Sequence, residues 1–132
     1  MSDQPDIEVM LAMKAWAVVG LGDNPERAAY GVAALLIAKG HQVIPVHPLA
    51  KPVHGQKAYA QLADIPFPVD VVDVFVNSSL AGAVADQAIS IGAKGVWFQL
   101  GVIDQGAYDR VKAAGLSMVM DRCPAIEYGK RS

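Results

Sequence analysis

Two glycines and an arginine stand close together where the first strongly apolar run of the chain ends, in AVVGLGDNPERAAYG at residues 17–31. Gly20 and Gly22 lack side chains, so the backbone can turn sharply there and come close to a ligand. Arg27 adds a cation that can donate charge-assisted hydrogen bonds. These residue types predict a turn that binds a phosphate or a diphosphate.

The residues after the glycines predict the start of a helix. Pro25 suits the first helical position, with Asp23 or Asn24 before it as the N-cap. A helix N-terminus carries unpaired N–H groups and a partial positive charge, which reinforce anion binding. Pro25 also replaces the last glycine of the dinucleotide pattern G-x-G-x-x-G, so a tight turn without a ligand is the alternative.

Basic side chains dominate the stretch between Glu26 and Asp64, which contains no other Asp or Glu. Its basic or ionisable residues are Arg27, Lys39, His41, His47, Lys51, His54 and Lys57. Sites for NAD place an acid at the end of the second strand to hold the ribose hydroxyls. Cationic groups there favour a nucleotide with an additional ribose phosphate. NADP and coenzyme A both qualify, and a solvated basic loop is the alternative without a ligand.

The composition excludes several classes of protein. Of the 132 residues, 53% are hydrophobic and 18% are charged, which excludes a disordered chain. The net charge of −2 does not favour binding to nucleic acid. No apolar run approaches the roughly 18 residues of a membrane span, and residues 1–10 lack a signal-peptide pattern. The single cysteine, Cys123, cannot form an internal disulfide. We therefore expect a soluble, cytoplasmic protein that binds neither nucleic acid nor a membrane.

Short apolar runs alternate with alanine-rich stretches in which apolar residues recur at helical spacing. The runs that predict β-strands are Trp16–Val19, Gln42–Val46, Val69–Val76, Gly95–Leu100 and Ser117–Met120. Ile7, Met10 and Leu11 predict a helical lead-in within residues 1–14. The alternation predicts an α/β fold with a Rossmann-like, doubly wound, parallel five-stranded sheet of order 3-2-1-4-5, in a single domain over residues 1–132.

Two segments between the predicted strands carry local signals of their own. Residues 49–68 are rich in proline, and KAYA at residues 57–60 is a candidate short strand. Ser78 and Ser79 are predicted N-caps of the helix that follows the third strand.

The residues outside the glycine turn do not predict catalysis. A dehydrogenase normally needs a second domain, or a long extension, to bind and orient its substrate, so a carrier or sensor is favoured over an NADP-dependent oxidoreductase. His41, His47 and His54 are too widely spaced for a typical zinc site. Cys123 is either a small apolar residue in a turn or a thiol that forms a mixed disulfide with a thiol cofactor.

Four segments in order resemble a known family, and they cover roughly Ala15 to Tyr128. They are WAVVGLGDNPERAAYGVAALLIAKGHQVIPVHP, LADIPFPVDVVDVFV, AISIGAKGVWFQLGVI and GLSMVMDRCPAIEY. They resemble the small stand-alone CoA-binding proteins, a family similar to the N-terminal CoA-binding domain of the succinyl-CoA synthetase α subunit. The resemblance implies a Rossmann-type fold and CoA or an acyl-CoA as ligand. It leaves open a partner subunit, such as an acyl-CoA ligase, or a homo-oligomer.

The resemblance also implies a site, residue by residue. It places the diphosphate on Gly20, Leu21, Gly22, Asp23, Asn24, Pro25 and Arg27. The ribose and its phosphate then lie beside His47, Pro48 and Lys51. The adenine lies against Phe75, Val76 and Asn77, and the pantetheine arm lies near Gln99. Two positions depart from the family. The family usually has Asn in place of His47, and it often has a lysine directly after the proline, where this chain has Leu49 and only later Lys51.

Overall fold

The computed structural model describes residues 3–131. The elements in chain order are α1 (Gln4–Leu11), β1 (Ala15–Val19), α2 (Ala28–Ala38), β2 (Gln42–Val46), a 3-10 turn (Leu62–Asp64), β3 (Val71–Val74), α3 (Ser78–Ser90), β4 (Gly95–Phe98), α4 (Gln105–Ala113), β5 (Ser117–Val119) and α5 (Pro124–Gly129). Met1, Ser2 and Ser132, which the predicted domain includes, lie outside the described residues. Among residues 3–131, every helix is too short or too polar to cross a bilayer.

The five strands form one parallel sheet with helices on both faces, which confirms the predicted α/β fold. One face packs on α3 and α4 through residues such as Val72, Val96 and Phe98. The other face packs on α1 and α2 and includes Trp16 and Trp97, which are fully buried. Burial of both faces explains why the strands are almost continuously apolar.

The strand order is β2-β1-β3-β4-β5, so the predicted order 3-2-1-4-5 is wrong. The KAYA segment does lie beside β2, but it makes only an isolated bridge, between Val46 and Tyr59. Tyr59 N donates to Pro45 O and Tyr59 O accepts from His47 N, each over 3.0 Å. Pro45 has no N–H on that outer edge to extend the pairing. On the other side of β1, β3 takes the place that the predicted order gave to the fourth strand.

The strand ends and helix starts differ from the sequence predictions at the edge that carries the site. The strands β3 and β4 end at Val74 and Phe98, earlier than predicted, because the residues that follow leave the sheet. Ser78 and Ser79 do not cap α3; Asn77 is its N-cap residue. The oxygen Oγ of Ser78 instead donates to Gly101 O and accepts from Ile103 N.

Pro25 does not open α2, which begins at Ala28 with Arg27 as its N-cap residue. Residues 24–27 form a turn, in which Arg27 N donates to Asn24 O over 3.2 Å. The side-chain oxygen of Asn24 accepts from Glu26 N. Proline suits the second position of such a turn as well as it suits a helix start. The predicted helix start is therefore three residues too early.

Helix α1 confirms the predicted helical lead-in and covers the outer edge of β5. The carboxylate of Asp6 accepts from the backbone N–H of Met118 over 2.9 Å and from Lys112 Nζ over 2.8 Å. An otherwise unpaired donor of an edge strand is thereby satisfied, which protects that edge from pairing with another chain.

Candidate ligand-binding site

A cavity of about 560 Å³ opens at the carboxyl ends of β1, β2 and β3. The chain goes from β1 to β2 on one side and returns to β3 on the other, so the cavity lies where the strand order reverses. Open α/β sheets bind their ligands at this kind of position. The lining residues are Gly20, Gly22, Asp23, Asn24, Arg27, Ala28, Ala29, His47, Leu49, Lys51, Phe75, Val76, Asn77 and Leu80.

Most of the residues that the sequence pointed to are brought together in this lining, and four are not. Leu21 is fully buried in the core on the α2 face. Pro25 and Pro48 are exposed and adjacent in sequence to lining residues. Gln99 is buried near the end of β4. The sequence reasoning missed four lining residues, which are Ala28, Ala29, Leu49 and Leu80.

The two glycines of the turn lie in close contact with neighbouring segments. Gly20 has a φ of +97°, in the left-handed region, and its N–H donates to Val46 O over 2.8 Å. A Cβ at Gly20 would lie 3.2 Å from the backbone oxygen of Phe75. A Cβ at Gly22 would lie 3.3 Å from the ring of His47. Both glycines therefore allow neighbouring segments to close around the cavity floor.

The start of α2 presents backbone donors to the same space. Ala28 and Ala29, the first two residues of the helix, line the cavity. The first N–H groups of a helix have no partner within it, and the helix dipole makes this end partly positive. An anion in the cavity would meet these groups directly. Placing the helix start at Ala28 instead of Pro25 would have identified both alanines from the sequence.

His47 is held in a defined orientation at the rim. Its Nδ1 accepts a hydrogen bond from the backbone N–H of Leu49 over 3.1 Å. The Nε2 edge of the ring lies against Gly22. The backbone of the rim is itself constrained, because Ala50 has a φ of +49° and donates from its N–H to His47 O.

Cations outnumber carboxylates in the lining. Arg27 and Lys51 are both exposed and have no ion-pair partner within residues 3–131. Asp23 is the carboxylate that the described lining contains. The unpaired cations are available to an anionic ligand, which they would bind through charge-assisted hydrogen bonds.

The residues after β3 form an apolar and amide wall opposite the basic rim. Phe75 and Val76 are half-buried, and the N–H of Phe75 donates to Val19 O over 2.9 Å. Asn77 caps α3 through its backbone oxygen, which accepts from Leu80 N and Ala81 N. The Asn77 side chain makes no capping bond and is exposed. It is therefore free to contact a ligand.

A buried polar pair lies on β3 and just beyond β4. Gln99 Nε2 donates to Asp73 Oδ1 over 2.6 Å, and Asp73 is fully buried. The second carboxylate oxygen of Asp73 has no hydrogen-bond partner within the described chain. Burial raises the pKa of Asp73 to about 7, and the bond from Gln99 partly offsets that effect. Gln99 thus has a structural partner, and the sequence offered no signal that the two residues would meet.

The sequence from residue 14 to residue 129 matches the family described as the CoA binding domain. The chain belongs to this family. The resemblance to small CoA-binding proteins is therefore confirmed, and the cavity described above lies within the matched region.

Proteins similar to the chain in sequence are of similar length, and a much longer enzyme contains a region of similar fold. The protein YneT of Bacillus subtilis (strain 168) is 34% identical over 121 residues, which cover 92% of this chain and 90% of YneT. A hypothetical protein from Pyrococcus horikoshii OT3 is 37% identical with a TM-score of 0.91, over 98% of this chain and 92% of that protein. Acetyl-coenzyme A synthetase 1 of Candidatus Korarchaeum cryptofilum is 22% identical with a TM-score of 0.75, over 87% of this chain and 28% of the synthetase, and this likeness shows the fold alone.

Proposed function

We propose that the protein binds coenzyme A or an acyl-CoA in the cavity at the carboxyl ends of β1, β2 and β3. The observation that carries the proposal is the pairing of a glycine turn at a helix start with a rim of unpaired cations. The first suits a diphosphate, and the second suits the additional ribose phosphate of CoA. Membership of the CoA binding domain family supports the same ligand.

In the proposed pose the ligand extends from the rim, which His47 and Lys51 form, across the end of β1, where the strand order reverses. The diphosphate lies on the turn of residues 20–27 and the first turn of α2, with Arg27 beside it. The ribose and its 3′-phosphate lie between His47 and Lys51. The adenine packs on Phe75 and Val76, and the exposed amide of Asn77 contacts its edge. Leu21, Pro25 and Pro48 act by shaping the backbone of the turn and rim, since their side chains do not line the cavity.

Gln99 is the least direct of the proposed contacts. Its side chain is buried and donates to Asp73, so it is already partly engaged. In the proposed pose the pantetheine arm passes over the ends of β3 and β4, close to the backbone that carries Gln99. The arm then contacts this edge of the sheet, and the Gln99 side chain itself does not make the contact.

The proposed role is binding without catalysis, by a single domain of residues 1–132. The described lining contains no Ser, Thr, Cys or Tyr side chain beside His47. A carrier, a sensor, or the CoA-binding subunit of an acyl-CoA ligase would each use such a domain. In the Korarchaeum acetyl-coenzyme A synthetase, a region of this fold makes up 28% of a longer chain.

Isothermal titration calorimetry with CoA, dephospho-CoA, NADP and NAD tests the proposal. We expect CoA to bind most tightly and dephospho-CoA to bind at least ten-fold more weakly, because it lacks the phosphate that meets the rim. Lys51→Glu should weaken CoA binding and leave dephospho-CoA binding within two-fold. Tight binding of NADP with no binding of CoA would overturn the proposal in favour of a nicotinamide cofactor.

A further inference from the structure

Three exposed apolar side chains stand on the same edge of the sheet as the cavity. Leu80 lies in the first turn of α3 and lines the cavity, while Leu100 and Ile103 lie on the loop between β4 and α4. Each of the three is more than half exposed. We call these residues the apolar platform.

The platform is held in place by hydrogen bonds and by burial between its members. Ser78 Oγ donates to Gly101 O over 3.2 Å and accepts from Ile103 N over 2.9 Å, which fixes the loop against the start of α3. On the far side, Gly101 N donates to Asp121 Oδ1 over 2.7 Å. Between the exposed residues, Val102 is buried in the core on the α3 and α4 face. The exposed side chains therefore project from an anchored loop.

The polarity of this edge changes from one end to the other. His47 and Lys51 follow β2, whereas Leu100 and Ile103 follow β4. In the order β2-β1-β3-β4, the carboxyl ends of β2 and β4 are three strand spacings apart, or roughly 14 Å. Leu80 follows β3 and lies between the basic end and the apolar end of this edge, because it belongs to both the cavity and the platform. One continuous edge thus offers cations at one end and an apolar surface at the other.

We infer that the apolar platform binds the acyl chain of an acyl-CoA, so that the protein holds thioesters of apolar acids more tightly than free CoA. A ligand with phosphates at one end and a hydrocarbon chain at the other matches the change of polarity along the edge. The inference rests on the proposed function and adds to it the class of acyl group. The other occupant that an apolar surface of this kind could accept is a second copy of the chain.

Calorimetric titration with CoA, acetyl-CoA, butyryl-CoA and octanoyl-CoA tests the inference. A methylene group laid on a surface is buried on one side, so we expect roughly a two-fold gain in affinity for each methylene added. Octanoyl-CoA should then bind at least ten-fold more tightly than acetyl-CoA. Sedimentation velocity on the same samples reports whether the chain self-associates.

A double variant, Leu100→Gln with Ile103→Gln, removes two of the three side chains of the apolar platform and leaves Leu80, which lines the cavity, unchanged. Both positions are exposed, so the substitutions leave the core intact. We expect the variant to bind CoA within two-fold of the unmodified protein and to bind octanoyl-CoA no more tightly than acetyl-CoA. Val9→Gln is the matched control, because Val9 is comparably exposed but lies on α1, and it should keep the full dependence on chain length.

The failures of the two proposals are distinguishable. Equal affinity for CoA and all three acyl-CoAs would overturn the inference and leave the proposed function intact. Absence of CoA binding would overturn the proposed function itself. A chain-length effect that survives in the double variant would overturn the role of the platform. A dimer that the double variant dissociates, with no chain-length effect, would assign the platform to a second copy instead.

Discussion

The backbone N–H of Leu49 donates to Nδ1 of His47 over 3.1 Å, and this bond determines which ring nitrogen can act on a ligand. Because Nδ1 accepts, the neutral imidazole carries its proton on Nε2. The Nε2 atom lies 3.4 Å from the position of a Cβ built at Gly22. An N–H donor therefore faces the glycine turn on which we place the diphosphate.

This tautomer can be observed directly. We expect long-range ¹H–¹⁵N correlation spectra of the ligand-free protein, recorded at alkaline pH, to show His47 protonated on Nε2. Addition of CoA should shift the Nε2 resonance and leave the tautomer unchanged. A ring protonated on Nδ1 would contradict the hydrogen bond from Leu49.

Substitution of Gly20 should destabilise the fold and impair the site. Gly20→Ala forces a side chain into the left-handed region and towards Phe75, so we expect unfolding by urea to show a loss of about 1–3 kcal/mol. Gly31→Ala is the control, because Gly31 lies within α2 with open space around it, and it should gain roughly 0.5–1 kcal/mol. Equal stability of the two variants would show that the turn is not constrained.

Reversal of the charge at Arg27 should weaken CoA binding more than the same reversal elsewhere on α2. Arg27 lines the cavity, whereas Lys39 lies at the other end of the helix, roughly 18 Å away. We expect Arg27→Glu to lower affinity by at least ten-fold and Lys39→Glu by less than three-fold, measured by calorimetry at low salt. Similar losses for both would mean that only the overall charge matters.

The buried carboxyl of Asp73 should make stability depend on pH. Its pKa is raised from 3.8 to about 7 by burial, so the folded state keeps a proton that the unfolded chain releases near pH 4. The stabilising contribution of that proton is complete below pH 4, falls as pH rises towards 7, and is lost above 7. Asp73→Asn cannot ionise, so urea unfolding should find it more stable than the unmodified protein at pH 8, with a much smaller difference at pH 4. The same difference at both values would contradict this assignment.

Those features of the fold that depend on local pattern could be predicted from the sequence. The strand Gln42–Val46 was predicted with its observed ends, because its apolar run is bounded by Gly40 and Pro48. The position of the cavity followed from the alternation of strands and helices, which makes the end of the first strand a switch point. Gly20 and Gly22 were identifiable because they stand at that end.

Features that depend on contacts between distant segments could not be predicted. The strand order depends on whether the third strand pairs with β2 or with β1, and the structure pairs it with β1. Leu80 reached the cavity only because α3 begins at its rim. Gln99 and Asp73 are 26 residues apart, and their hydrogen bond exists only once β3 and β4 are adjacent.

A crystal structure of the protein grown with millimolar CoA is the most direct test of the central claim. We predict diphosphate oxygens within hydrogen-bond distance of backbone N–H groups in the turn of residues 20–27, and the 3′-phosphate beside Lys51. A map that shows only solvent at this turn, with CoA bound elsewhere or not at all, would contradict it.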